Sequence, residues 1–198
     1  MKLTKINSKI FDKFPSQKLA KVNLRELNET DANEFFHLIN NPNVAQYMGI
    51  EEIPANISEA IYEIRYWGGL FDNRKSFFWA IADKESDKLI GSCGFNFWNQ
   101  QHYKAEISYE LAFEYWQRGI MSEVIKYVID FGFTKMKLQR ISAITAVNNI
   151  ASNNLLKKNN FVHEGVLRKY KIFDNKLMDA NIYSILVEEY VNKCYIST

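Results

Sequence analysis

The residues Gln117, Arg118, Gly119, Ile120, Met121 and Ser122 stand between a strand pattern and a helix pattern. Before them, 104–111 alternates: Ala105, Ile107, Tyr109 and Leu111 on one side, Glu106, Ser108 and Glu110 on the other. That is the period of a strand with one apolar face. After them, Val124, Ile125, Val128, Ile129, Phe131 and Phe133 recur at helical spacing. The first N–H groups of a helix have no partner inside it and carry the positive end of its dipole. A glycine at that point lets a diphosphate approach the backbone. The loop therefore suits an anionic ligand, with Arg118 adding a charge. It also reads as a plain strand-to-helix connection, because one glycine is weaker than a glycine-rich cradle.

Other residue types point to proton transfer rather than covalent catalysis. Glu106 and Glu110 share a strand face, and burial of Glu106 on this strand would raise its pKa toward neutrality; each also reads as an ordinary solvated carboxylate. His37, His102 and His163 are isolated and read as surface or turn residues. No Ser-His-Asp or Cys-His set stands out. Cys93 and Cys194 match no metal or redox spacing, so no metal site is expected, and Cys93 reads as a free core thiol.

The elements that must position these groups follow from pattern and punctuation. A first strand carries Val22, Leu24 and Leu27, with Arg25 on its other face. Thr30 is read as the N-cap of a helix over 31–39, which Asn40-Asn41-Pro42 ends. Ser58 is read as the cap of a second helix with Ile61, Ile64, Tyr66, Trp67 and Leu70 as its stripe. Strands over 77–83 and 88–97 make a hairpin around the polar turn 84–87. Gly91 and Gly94 inside the second strand mark a bulge or a close backbone approach. A parallel strand over 140–147 beside 104–111, a helix over 151–159 begun by Asn148 or Asn149, and a hairpin of 161–171 with 176–187 around Asp174-Asn175 complete the order. This predicts an α+β (α/β) sandwich: a mixed sheet with helices on both sides.

Bulk properties narrow the class. With 198 residues, 47% of them hydrophobic, and 14 Phe, 11 Tyr and 4 Trp, the chain suits one folded domain over 1–198, with 1–20 as an arm or extra strand. A net charge of +2 gives no reason to expect nucleic-acid binding. No signal peptide and no membrane-length apolar run are visible, so a reducing, cytoplasmic setting is expected.

YWQRGIMSE, with Gly119 as its central glycine, resembles the acyl-CoA diphosphate loop of the GNAT superfamily of N-acyltransferases. It is most similar to the branch of ribosomal-protein N-terminal acetyltransferases (RimJ/RimL type). Trp116 stands where Gln or Arg is usual, and Met121 where a small residue is usual. Asn149-Ile150-Ala151-Ser152 followed by Asn160-Phe161 resembles the family's Asn-x-x-Ser … Gly-Phe motif, and Ala105-Glu106-Ile107-Ser108-Tyr109 its Ala-Glu-Ile-Gly-Tyr strand. The resemblance covers roughly 21–191.

The resemblance implies a GNAT-like, mostly antiparallel sheet, splayed between the central parallel strands 104–111 and 140–147. Acetyl-CoA would be the co-substrate, its pantetheine arm in the splay against Tyr109, Glu110 and Leu111 and its diphosphate on the amides of 117–122. Asn149 matches a pantetheine contact, though it also reads as a plain N-cap. Ser152 matches a serine that would meet the leaving sulfur, while Leu156 stands where many members carry a Tyr acid. Glu106 is the first choice of base, with Glu110 and Glu164 behind it. Lys171 stands where RimL-type enzymes carry a Glu. The loop 43–56 would line the acceptor side, although Tyr47, Met48 and Trp67 also read as core. The implied activity is direct acetyl transfer to a primary amine, foremost the α-amino group of a ribosomal-type protein. Alternatives are a polyamine or aminoglycoside acceptor, or a CoA-binding regulator without catalysis. Members of the branch occur as monomers and homodimers, and neither a membrane nor a nucleic-acid partner is implied.

Overall fold

The computed structural model describes residues 11–173 and 176–196. Eight strands form one sheet in the order β1-β2-β3-β4-β5-β6-β8-β7. They are β1 (Gln17–Lys18), β2 (Val22–Arg25), β3 (Phe77–Asp83), β4 (Leu89–Asn99), β5 (Lys104–Leu111), β6 (Arg140–Ala146), β7 (Val162–Phe173) and β8 (Lys176–Leu186). Every neighbouring pair is antiparallel except β5 and β6.

Helices cover both faces because the strands bury both. β3, FFWAIAD, is buried along nearly its whole length, as a strand with no wet face must be. On one face lie α1 (Ala32–Ile39) and α3 (Ile57–Asp72), packing Phe35, Ile39, Ala60 and Ile64 against Ala80 and Leu89. On the other lie α4 (Ile120–Thr134) and α5 (Ile150–Lys158), which set Val124, Ile125, Val128 and Leu156 against Trp79, Phe95 and Ile107. Each fully buried aliphatic side chain of this kind contributes about 1.5–3 kcal/mol of transfer free energy. Short α2 (Pro42–Ala45) and terminal α6 (Val187–Ile196) complete the set.

The feature that matters for the site is where β5 and β6 part. Only Lys104, Ala105 and Glu106 face partners across this join, namely Arg140, Ile141 and Ser142. Beyond them β6 goes on pairing with β8 as far as Ala146 opposite Ala180, while β5 stays with β4 as far as Leu111 opposite Gly91. The expected splay is therefore present, and it opens toward the C-terminal ends of both strands.

Two caps differ from expectation. Helix α1 is preceded by a short 3-10 turn over 29–31 that takes in Thr30, where the Asn28 N–H donates to Asp31 at 2.9 Å. Helix α3 is capped by Asn56, which accepts from the Glu59 N–H at 3.0 Å, so Ser58 lies inside the helix. Both glycines of β4 meet close backbone: a Cβ on Gly94 would collide with the Phe77 carbonyl and one on Gly91 with that of Glu110. A register shift beside Ile81 adds the bulge. In the stretch read as an arm or extra strand, β1 pairs with β2 and Phe11 packs on Trp98 at 4.9 Å. Residues 1–10 and the expected turn at Asp174-Asn175 lie outside the described residues, as does the Cys194 side chain. Among the described residues, no helix is long and apolar enough to cross a membrane.

Candidate active site

The mouth of the splay is built by the loop between β5 and α4. A 3-10 turn over Phe113–Tyr115 leads to Gln117 at φ +60° and Gly119 at φ +72°, and α4 starts at Ile120. The left-handed conformation at Gly119 suits a residue without a Cβ, and it turns the chain so that the opening N–H groups of a 15-residue helix face outward. Ile120 and Met121 bury their side chains in the core, 7% and 8% exposed, which leaves their backbone for a ligand and explains why a large residue is accepted at Met121. Arg118 lies over the Tyr115 ring, 5.2 Å from its centroid.

Two parts of this loop were not legible in the sequence. The Lys21 ammonium donates to the Arg118 carbonyl at 2.6 Å, while the Glu123 carboxylate accepts the N–H of Ala20 at 2.7 Å and of Lys21 at 3.2 Å. A second cation therefore stands at the start of α4. Trp116, out of pattern by type, works as a strut: its indole N–H donates to the Leu111 carbonyl at 2.7 Å and ties the loop to the end of β5.

Inside the splay, backbone direction sorts the predicted contacts. Ala112 donates to Ile90 of β4. By strand alternation, Glu110 and Ser108 also turn their backbone groups to β4, whereas Ile107, Tyr109 and Leu111 turn theirs to the splay. Tyr109 thus turns its backbone to the gap, Leu111 faces it with its carbonyl already engaged by Trp116, and the backbone of Glu110 faces away. From the far side, Asn149 caps α5 by accepting the Ser152 N–H at 3.0 Å. The Tyr109 and Ser152 hydroxyls lie 2.7 Å apart, joining β5 to α5. Buried Asn153, not singled out in the sequence, anchors this end of α5: it donates to the carbonyls of Ala146, Val147 and Asn149 and accepts from Asn181 and Tyr183. Leu156 is 1% exposed in the core and offers no acid.

The α1–α3 face of β5 carries the carboxylates. Burial raises Glu106, with Lys171 opposing that shift and Glu52 adding to it. Glu110 is hydrogen-bonded by the Ser92 hydroxyl, and burial pushes its carboxyl up to about 7. Lys171 pairs with Glu52 at 2.6 Å and Glu51 at 3.6 Å, so the 43–56 loop does reach this side of the sheet. Within that loop's surroundings Trp67 stacks on Phe78 at 4.8 Å and Met48 packs on the α1–α3 core, as core residues do. Glu164 is a correction: Arg140 at 2.7 Å and Ser184 at 2.7 Å hold its carboxyl down at about 2, so it makes no base near neutral pH. His37 lies on α1, His102 in the β4–β5 turn and His163 on β7 beside Asn181. Among the described residues no cluster that would hold a metal ion is found, and Cys93 is buried and free.

Residues 21–162 match the family described as the acetyltransferase (GNAT) domain. The chain belongs to the GNAT acetyltransferase family. A GNAT relative from Bacillus subtilis (strain 168), the uncharacterized N-acetyltransferase YoaA, is 37% identical over 173 residues, 87% of this chain and 97% of its own. The spermidine N(1)-acetyltransferase of Vibrio cholerae is 27% identical over 88% of this chain and 98% of its own. Among solved structures, a RimL ribosomal-protein α-N-acetyltransferase in complex with coenzyme A superposes with a TM-score of 0.79 at 19% identity, covering 86% of this chain and 97% of that one. As a GNAT member the chain is an acyltransferase, and the sheet and helices described above are the GNAT fold.

Proposed function

We propose that this acetyltransferase moves the acetyl group of acetyl-CoA directly to a primary amine, foremost the α-amino group of a protein. The observation that carries the reading is the three-pair join of β5 and β6, which opens onto the start of α4. A thioester-bearing nucleotide has an amide-rich arm and a diphosphate. The arm suits the β5 edge that β6 leaves, at the Tyr109 backbone and the Leu111 N–H. The diphosphate suits the N–H groups of 117–122 together with Lys21 and Arg118. Asn149 stands at the lip of the gap, where its side chain also caps α5.

The faces of the sheet divide the chemistry. The acceptor approaches from the α1–α3 face, where Glu106, raised by burial, takes a proton from the ammonium. The free amine forms a bond to the thioester carbon, and backbone N–H groups facing the splay donate to the developing oxyanion. The carbon–sulfur bond then breaks, the second nitrogen proton leaves to water, and the thiolate meets the Ser152 hydroxyl on the α5 side. No covalent enzyme intermediate is needed. Glu51 and Glu52 give the acceptor wall a negative character that favours a cation.

A polyamine acceptor is the second reading, supported by the whole-length likeness to the spermidine enzyme. Thiol release from acetyl-CoA over spermidine, an aminoglycoside and peptides starting with Ala or Ser separates the two. Release over peptides alone supports α-amino transfer, and release over spermidine alone overturns it in favour of the polyamine. Acetyl-CoA binding without release over any acceptor would point to a regulator.

A further inference from the structure

We infer that Tyr109 is a positioning residue for the leaving thiolate: its hydroxyl, 2.7 Å from that of Ser152, directs the Ser152 proton into the splay. The inference rests on the acetyl-transfer reading and adds to it the group that orients Ser152. Leu156, one turn further along α5, is buried in the core and offers no proton. Ser152 is thus left as the hydroxyl on the sulfur side. A helical serine has a competing use for its proton, the carbonyl one turn back, and its hydroxyl rotates freely. Tyr109 removes that ambiguity.

The geometry supports this division of roles. Tyr109 lies on the opposite wall of the gap from Ser152, 43 residues away in the chain. Its ring packs against the α4–α5 core, which fixes the hydroxyl in place. Of the two directions open to this bond, the one in which Tyr109 donates and Ser152 accepts leaves the Ser152 proton for the splay. Once its oxygen has accepted, the Ser152 proton is the free donor of the pair, and the chain of two hydrogen bonds polarises it further. Burial raises the phenol well above its ordinary value, so Tyr109 keeps its own proton throughout. When the carbon–sulfur bond breaks, the electron pair goes to sulfur, Ser152 hydrogen-bonds the thiolate, and the proton that finally makes the thiol comes from water.

The test compares Y109F, S152A, S152T and Y109F/S152A with the parent chain, using acetyl-CoA with spermidine and with an Ala-starting peptide. Tyr109→Phe keeps the ring and removes only the hydroxyl. It is expected to lower kcat about tenfold, the scale of one uncharged hydrogen bond. The Kd for acetyl-CoA by calorimetry should stay within about twofold, since backbone and diphosphate contacts are untouched. Ser152→Ala should lose at least as much, the double variant no more than S152A, and S152T should retain most activity. Losses that multiply in the double variant, or full kcat in Y109F, would overturn the proposal while leaving the transfer reading intact. A Y109F defect confined to acetyl-CoA affinity would make the hydroxyl a binding group and also overturn it. Failure of the parent chain to bind acetyl-CoA would instead remove the reading on which the proposal stands.

Discussion

The Lys21 ammonium donates to the Arg118 carbonyl at 2.6 Å, across 97 residues of sequence. A cation from the start of β2 is thereby set on the loop that begins α4. Glu123 fixes the adjoining backbone by accepting the N–H groups of Ala20 and Lys21, so Lys21 does not depend on its flexible side chain alone for its position.

Lys21→Ala should weaken acetyl-CoA binding about fivefold to tenfold, the scale of one charge-assisted contact at an exposed site. The difference from the parent should shrink as salt is raised. Calorimetry at two ionic strengths reads it, and equal affinities at low salt would place the phosphates elsewhere.

Gly119→Glu puts a side chain into a residue at φ +72°, with its Cβ 3.0 Å from the Lys21 ammonium. The backbone strain is about 1 kcal/mol and leaves the fold standing. The new carboxylate neutralises Lys21 and meets the diphosphate. Acetyl-CoA affinity should fall at least about a hundredfold with a melting temperature only a few degrees lower; unchanged affinity would contradict the assignment of this loop.

Glu106→Gln removes the proposed base and should lower kcat by about 10²-fold or more. Because burial raises Glu106, the parent's rate should climb as pH rises through that raised pKa, the carboxylate being the active form. The variant should lose this limb. A parent-like pH profile in E106Q would move the base to another group.

Glu110→Gln addresses stability. Burial pushes the Glu110 carboxyl up to about 7 from an ordinary 4.5, so between these values the folded chain holds a proton that the unfolded chain releases. Stability therefore falls as pH rises through that window, with the loss complete above about 7. Glutamine keeps an acceptor for Ser92 and carries no charge. Thermal melts at several pH values should show E110Q more stable than the parent above the window and level with it below; parallel curves would mean that Glu110 is ionised in the fold.

Strands β3 and β5 were legible almost to the residue, because alternating or continuous burial leaves a pattern in the chain itself. The two helix caps were not. Thr30 and Ser58 are good caps by type, yet Thr30 lies inside the 3-10 turn and Asn56 caps α3, because the direction from which the chain arrives decides which side chain meets the free N–H groups. In the candidate site, Gly119 could be found from its place between a strand and a helix. Lys21 on Arg118, Ser92 on Glu110 and Tyr109 on Ser152 could not, since each pair is made by the sheet and has no spacing in sequence. Tyr109 shows why: alternation assigns its ring to the apolar face correctly and says nothing of where the hydroxyl ends. Helix α6 was not legible either.

The brief contact between β5 and β6 also bears on motion. A sheet joined at its centre by three facing pairs has a seam along which its halves can flex, and that seam runs beneath the chemistry. An acyl donor lodged there would stitch the halves with the hydrogen bonds they do not make to each other. Amide exchange along Ile107–Leu111 should then slow when donor is present, making the reactant a temporary ninth strand.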